Sequence, residues 1–319
     1  AVIGIVAAVD IATWAATGSS AALAFATVAT LATIGLGSMY RIASLRGGGE
    51  PVALQLGGVP VPENTTDPGL RRLRNVVEEI AIASGVPVPK VYVLEHEAAI
   101  NAFAAGYSTS DAVVAVTRGA LDRLNRDELQ GVIAHEFSHI LNGDMRLNIR
   151  LIGVLFGILM IGLIGRKILT HGRLGGSRSV SVVLIAAIVA MAIGYIGLFF
   201  GRMLKAGVSR SRETLADASA VQFTRQAQGL AGALKKIGGL HEGAKLNDRG
   251  DAEEVSHMLF GDGVGFSEQA FSGLFATHPP LLKRIQALEP GFRAEQLERL
   301  QAQWLASPPN GLDEDVRMG

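Results

Sequence analysis

The chain contains no cysteine. That removes disulfide frameworks, thiolate metal sites and cysteine nucleophiles, so any metal ion must be held by histidine and carboxylate side chains. Charge of one sign is also missing in surplus: 29 Lys and Arg balance 29 Asp and Glu. A protein that wraps phosphate backbones carries a basic excess, so no nucleic acid is expected among the partners. Aromatic residues are sparse at 6%, and no internal repeat or low-complexity tract stands out in the 319 residues. Aliphatic residues are what the chain has in abundance. Hydrophobic residues make up 49% and mean hydropathy is +0.32, high for a soluble globule, and a membrane class leads.

Four apolar stretches, at 1–17, 21–40, 151–169 and 180–200, reach or approach the roughly 20 residues that cross a bilayer as helix. They read as two hairpins. Gly18, Ser19 and Ser20 turn the first, and the second has a polar link through Arg166, Lys167, His171, Arg173, Gly175, Gly176 and Arg178. The first stretch is the weakest and begins at Ala1 inside an apolar run, as expected where the true start lies upstream. It carries Asp10, which is costly in lipid; with no second ionisable residue beside it, an interfacial or helix-facing position is expected rather than a proton path.

Between the hairpins, Asp67 and Pro68 form a helix start followed by Leu73, Val76, Val77, Ile80 and Ala81 at helical spacing. Short strands are expected at 91–94 and 112–117, with the segment from Asn101 to Gly106 between them. After the fourth span the chain reads as largely helical, with a looser Gly-rich region over 261–273 and a disordered polar tail after Pro308.

His135, Glu136, Phe137, Ser138 and His139 spell H-E-x-x-H. On a helix, positions i and i+4 project from one face toward one ion. The flanks predict that helix: Asn125 caps, Glu128 is its capping-box partner, Leu129, Val132, Ile133, Ile140 and Leu141 are apolar, and Asn142 and Gly143 stop it. Glu136 then sits beside the ion as the base for a water whose pKa zinc lowers to about 7. A third ligand is offered by Glu213, with Asp217 four residues on, on another predicted helix. There Glu213 can bind the metal while Asp217 accepts the free ring N–H of a ligating histidine. Taken alone, that pair is equally an exposed helix turn salt-bridged to Arg210 or Arg212. The two readings constrain each other, because Glu213 meets His135 only if an even number of crossings separates them, and hydropathy gives two.

These residues resemble the HtpX-type membrane zinc endopeptidases, relatives of the CAAX prenyl endopeptidases within the gluzincin clan. The likeness extends over about residues 41–290. Asn101, Ala102 and Phe103 match the N-A-F segment, and His135 to His139 with Asn142, Gly143 and Asp144 match the active-site helix. Ser209 to Asp217, through Ser211, Arg212, Glu213, Ala216 and Asp217, are similar to the S-R-x-x-E-x-x-A-D element. Thr277, His278, Pro279, Pro280 and Arg284 match the late H-P-P-x-x-x-R signature.

The resemblance implies an α+β fold, mainly α, in which integral membrane helices join a gluzincin-type metalloprotease domain with a small mixed sheet. It implies one zinc ion per chain, held by His135, His139 and Glu213, and cleavage of membrane or misfolded proteins in protein quality control, with polypeptides and the lipid bilayer as partners. Asn101, Ala102, Phe103 and Ala104 would lie near a substrate-binding edge, where the other reading is a core strand. His278 would donate to the oxyanion, and Arg284 would orient that His or a substrate carbonyl. The expected organisation is a transmembrane hairpin over 1–43, catalytic segments over 44–150 and 202–306 flanking a second hairpin over 151–201, and a polar tail over 307–319. The alternatives are a CAAX-type protease, for which four spans offer less enclosure, and a catalytically silent scaffold, which the intact Glu136 disfavours. Arg41, Arg46, Arg146, Arg150, Arg202, Lys205, Arg210 and Arg212 flank the spans on the catalytic side. They outnumber the basic residues of the link, which favours a bacterial inner membrane protein with a cytoplasmic active site.

Overall fold

The structure is a computed structural model that describes residues 2–44, 47–171, 179–240, 243, 260 and 278–318. Residues 172–178 of the polar link, the Gly-rich region, His241, His257 and Thr277 lie outside the described residues. The elements run α1 (Val2–Thr17), α2 (Ser20–Ser44), α3 (Glu50–Gln55), β1 (Val59–Pro60), α4 (Pro68–Ser84), β2 (Lys90–Leu94), β3 (Ala102–Ala105), β4 (Val113–Thr117), α5 (Arg118–Arg123), α6 (Arg126–Leu141) and α7 (Asp144–His171). They continue as α8 (Ser179–Thr224), α9 (Gln228–Gly239), α10 (Leu281–Leu288), α11 (Ala294–Ala306) and α12 (Gly311–Met318). The chain divides into two units, Ala1–Arg46 with Leu147–Lys205 and Gly47–Arg146 with Ala206–Gly319.

Among the described residues, the helices Ser20–Ser44, Asp144–Thr170 and Ala187–Thr224 are long and apolar enough to cross a membrane. Where hydropathy suggested four spans, α1 has 16 residues and falls short of that length. Asp10 faces α2, and its carboxylate accepts from Thr27 Oγ1 at 2.8 Å, which satisfies a group that lipid cannot. Ile5, Ile34, Ile158 and Ile161 are buried together. Phe25, Leu36 and Phe200 are exposed, an arrangement suited to hydrocarbon rather than water.

The second unit is built around a four-stranded mixed sheet in the order β1-β2-β4-β3, with β2 and β4 parallel and the outer pairs antiparallel. The expected strands at 91–94 and 112–117 are β2 and β4, and the segment between them supplies β3 at one edge. The two-residue β1 was not anticipated, since Pro60 argues against a strand and is tolerated only because this strand lies at the other edge. Leu73, Val76, Val77, Ile80 and Ala81 of α4 are buried with Leu129, Val132 and Ile133 of α6 and with Val114 and Val116 of β4. Ala53 of α3 packs among Tyr92, Leu94, Phe103 and Val113.

Helix α6 begins as its sequence predicts. Asn125 Oδ1 accepts from the Glu128 N–H at 3.0 Å and Glu128 returns a bond from the Asn125 N–H at 2.9 Å. It crosses α9 at Gly131, where a Cβ would lie 2.6 Å from the Leu230 backbone nitrogen, so only glycine admits this approach. It ends at Asn142, with Gly143 at φ +67° turning the chain into α7. The polar tail, expected to be disordered, instead forms α12. Asn310 Oδ1 caps it by accepting from Leu312 and Asp313 N–H groups. Asp315 accepts from the first N–H of α6, at Arg126, at 2.7 Å, and pairs with the buried Arg72 at 2.7 Å. The acidic residues that suggested a solvated tail are thus the ones that dock it, at a helix N-terminus that favours anions.

Candidate metal centre

Within the second unit, α6 presents His135 and His139 one turn apart toward the segment of α8 that carries Glu213. The two Nε2 atoms are 3.2 Å apart. Glu213 Oε2 lies 3.5 Å from His135 Nε2, and Oε1 lies 3.4 Å from His139 Nε2. One ligand atom each from His135, His139 and Glu213 lie within 4.8 Å of one another, close enough for the three residues to hold a divalent ion between them. His135 and Glu213 are buried, and such a cluster of imidazoles and carboxylate is costly without an ion to share.

The far side of each imidazole meets a carboxylate. His135 Nδ1 lies 2.9 Å from Asp217 Oδ1, and His139 Nδ1 lies 2.9 Å from Asp144 Oδ2. Both contacts favour the tautomer with N–H at Nδ1 and a lone pair at Nε2, on the side where the two imidazoles and Glu213 would hold an ion. Asp217 is in turn gripped by Arg284, through Nε to Oδ2 at 2.9 Å and Nη2 to Oδ1 at 2.7 Å. Asp144 has Arg212 Nη1 at 3.3 Å from its other oxygen. The motif containing Asp144 was visible in the sequence without a role for that residue. Its position, five residues after His139 and just past the helix stop, is the signal that could have supplied one.

Burial alone would lower the His139 imidazole pKa, but contacts to Asp144 and Glu213 outweigh it and raise it to about 10 in the metal-free protein. Glu136 also lies above an ordinary carboxylate, because burial pushes its pKa up and the neighbouring imidazoles only partly oppose this. The Glu136 carboxylate is buried, and the Ala104 backbone N–H of the edge strand is directed at it.

The remaining expected residues gather nearby with different neighbours. His278 has Nδ1 2.8 Å from Glu213 Oε2. Arg284, expected beside that histidine or a substrate carbonyl, holds Asp217 and donates to the Phe260 carbonyl at 3.1 Å. Asn101, Ala102, Phe103 and Ala104 are buried on the edge strand or at its start, and the Asn101 N–H donates to Thr117 Oγ1 at 2.9 Å. Phe260, which sequence reasoning missed, stands edge-on to the His135 ring at 4.9 Å between centroids. It immediately precedes the Gly-rich region, with no periodicity in the sequence to mark it.

Comparison with known proteins decides the family, since the profile of Peptidase family M48 matches residues 70–290. The chain belongs to peptidase family M48. A protease HtpX homolog from Dictyoglomus turgidum is 38% identical to this M48 chain over 237 residues, covering 74% of each protein. Another, from Listeria monocytogenes serotype 4b, is 39% identical over 229 residues, 68% of this chain and 72% of the relative. The crystal structure of S. mikatae Ste24p is similar at TM-score 0.50 with 14% identity, over 90% of this chain and 62% of that one. That likeness concerns the fold. With its apolar helices and its M48 membership, the chain is a membrane-bound metalloendopeptidase.

Proposed function

We propose that this M48 peptidase is a zinc enzyme of a bacterial inner membrane whose active site faces the cytoplasm and cleaves membrane or misfolded polypeptides. His135, His139 and Glu213 hold the ion, which when bound polarises the scissile carbonyl and acidifies water. Glu136 takes a proton from the attacking water as its oxygen bonds to the carbonyl carbon, and hands that proton to the departing nitrogen as the C–N bond breaks. A buried carboxylate with a raised pKa suits both steps, since it holds a proton near neutral pH better than an exposed one. His278 donates to the developing oxyanion, a role compatible with a buried ring nitrogen, Nε2, that has no hydrogen-bond partner among the described residues. Asp217 and Arg284 act through His135, as positioning residues.

Substrate enters as an extended strand along the edge at Asn101 to Ala104. Only unfolded or frayed segments can pair in this way, which supports misfolded and membrane polypeptides over compact folded proteins. The cytoplasmic orientation rests on the basic residues flanking the spans.

The observation that carries this reading is the convergence of two imidazole Nε2 atoms, 3.2 Å apart, on the Glu213 carboxylate, whose two oxygens lie 3.5 and 3.4 Å from His135 and His139 respectively. The test is Glu136→Gln in detergent-purified protein. It should retain about one zinc per chain while casein hydrolysis is lost, and cleavage by the Gln variant at the wild-type rate would refute Glu136 as the base.

A further inference from the structure

Strand β3 closes one side of the sheet, and its outward backbone groups are where an added strand would pair. The Thr117 N–H donates to the Asn101 carbonyl at 3.0 Å. With Ala102 opposite Val116 and Ala104 opposite Val114, this turns the N–H and C=O groups of Ala102 and Ala104 away from β4, because the two sides alternate along a strand. The outward carbonyl of Ala102 is already used: it accepts the N–H of Phe260 at 2.8 Å. Phe260 is held from other sides as well. Its carbonyl accepts from Arg284 Nη1 at 3.1 Å, its ring lies under that guanidinium at 4.9 Å, and its edge-on contact with His135 is also 4.9 Å. It is 1% exposed.

We propose that Phe260 is a specificity-determining residue that stands in for one residue of a bound strand. Its backbone N–H occupies the Ala102 carbonyl, while the Ala102 N–H donates to Asn101 Oδ1 at 2.9 Å and the Ala104 N–H is directed at Glu136, so a substrate that leaves Phe260 in place pairs along β3 at the Ala104 carbonyl. The inference rests on the reading that β3 receives the peptide. A peptide ending short of Ala102 binds without disturbing the anchor. One that runs past Ala102 must first break two hydrogen bonds, a cation–π contact and an aromatic contact, and it gains a single backbone bond in return. The enzyme therefore favours substrates whose extended stretch is short on that side of the scissile bond.

The test compares zinc-loaded wild type with Phe260→Ala, using peptides lengthened one residue at a time on each side of the cleaved bond. Removing the ring anchor should lower the ratio of KM for long peptides to KM for short ones about three- to tenfold, the range of one cation–π or aromatic contact. An unchanged or raised ratio overturns the proposal. N-methylation of backbone amides along the long peptide separates the two readings. If no N-methyl group weakens cleavage in either protein, β3 is not the peptide site. If N-methyl groups weaken cleavage but Phe260→Ala gains nothing, the role of Phe260 alone is wrong. Should Phe260→Ala lose zinc, amide hydrogen exchange in the Glu136→Gln protein decides without altering Phe260. Faster exchange at Phe260 under saturating long peptide supports displacement, and unchanged or slower exchange overturns it.

Discussion

Asp217 stands between His135 and Arg284, with Oδ1 2.9 Å from the histidine Nδ1 and both carboxylate oxygens accepting from the guanidinium at 2.7 and 2.9 Å. A carboxylate fixed this way orients the imidazole and raises its basicity toward a metal. Asp217→Asn should lower zinc affinity about 10- to 100-fold, as measured by competition with a chelator of known affinity. Equal affinity in the two proteins would mean that Asp217 does not act through His135.

Arg284 is buried, and so is the carboxylate it neutralises. Arg284→Met leaves Asp217 without its cation, and the loss should be about 3–5 kcal/mol, the scale for stranding one partner of a buried pair. The double variant Arg284→Met with Asp217→Asn should lose less than the sum of the two single changes. Thermal unfolding of the three proteins checks this, and strict additivity would contradict a coupled pair.

Metal uptake should be linked to protons. With its pKa raised to about 10, metal-free His139 is protonated at neutral pH, whereas a ligating imidazole is neutral. Zinc binding therefore expels a proton, and affinity should rise about tenfold per pH unit for each proton released, up to that pKa. Calorimetry in buffers of different ionisation enthalpy gives the proton count. Asp144→Asn removes one cause of the raised pKa and should reduce the release, so an undiminished count in that variant would argue against the assignment.

Much of this was legible in the sequence because the signals are local. The capping box at Asn125 and Glu128, the i, i+4 histidines and the stop at Asn142 and Gly143 each involve residues within a turn or two, and α6 follows them closely. The coming together of His135, His139 and Glu213 could be argued only through the parity of the spans between them. What was not legible depends on partners distant in the chain. Arg284 was expected near His278 or substrate, yet its charge is taken by Asp217 on α8. The 46-residue length of α8 was also unexpected. The change from apolar to polar sequence near Arg202 lies close to the division between the two units at Lys205, yet the backbone continues as helix through Glu213 and Asp217.

The docking of α12 was missed for the same reason, and it leads to a test. Asp315→Ala removes the acceptor for the Arg126 N–H and the partner of Arg72, which is buried on its own side. The expected loss is about 1–3 kcal/mol, below that of a fully buried pair because the Asp315 side chain keeps 22% exposure. It should appear in thermal unfolding, with chelator resistance of bound zinc falling as the start of α6 loosens. No change in unfolding temperature would mean that α12 is a passenger.

Both imidazole ligands precede the apolar parts of α7 and α8, and the carboxylate ligand follows them. On the ribosome the histidines are therefore made first, and Glu213 only after both hydrophobic stretches have emerged. A nascent chain, or one truncated within either stretch, carries two thirds of a metal site and none of its acidic ligand. With the proposed ligand set, zinc-dependent cleavage should therefore be lacking until synthesis has passed Glu213, beyond both apolar stretches.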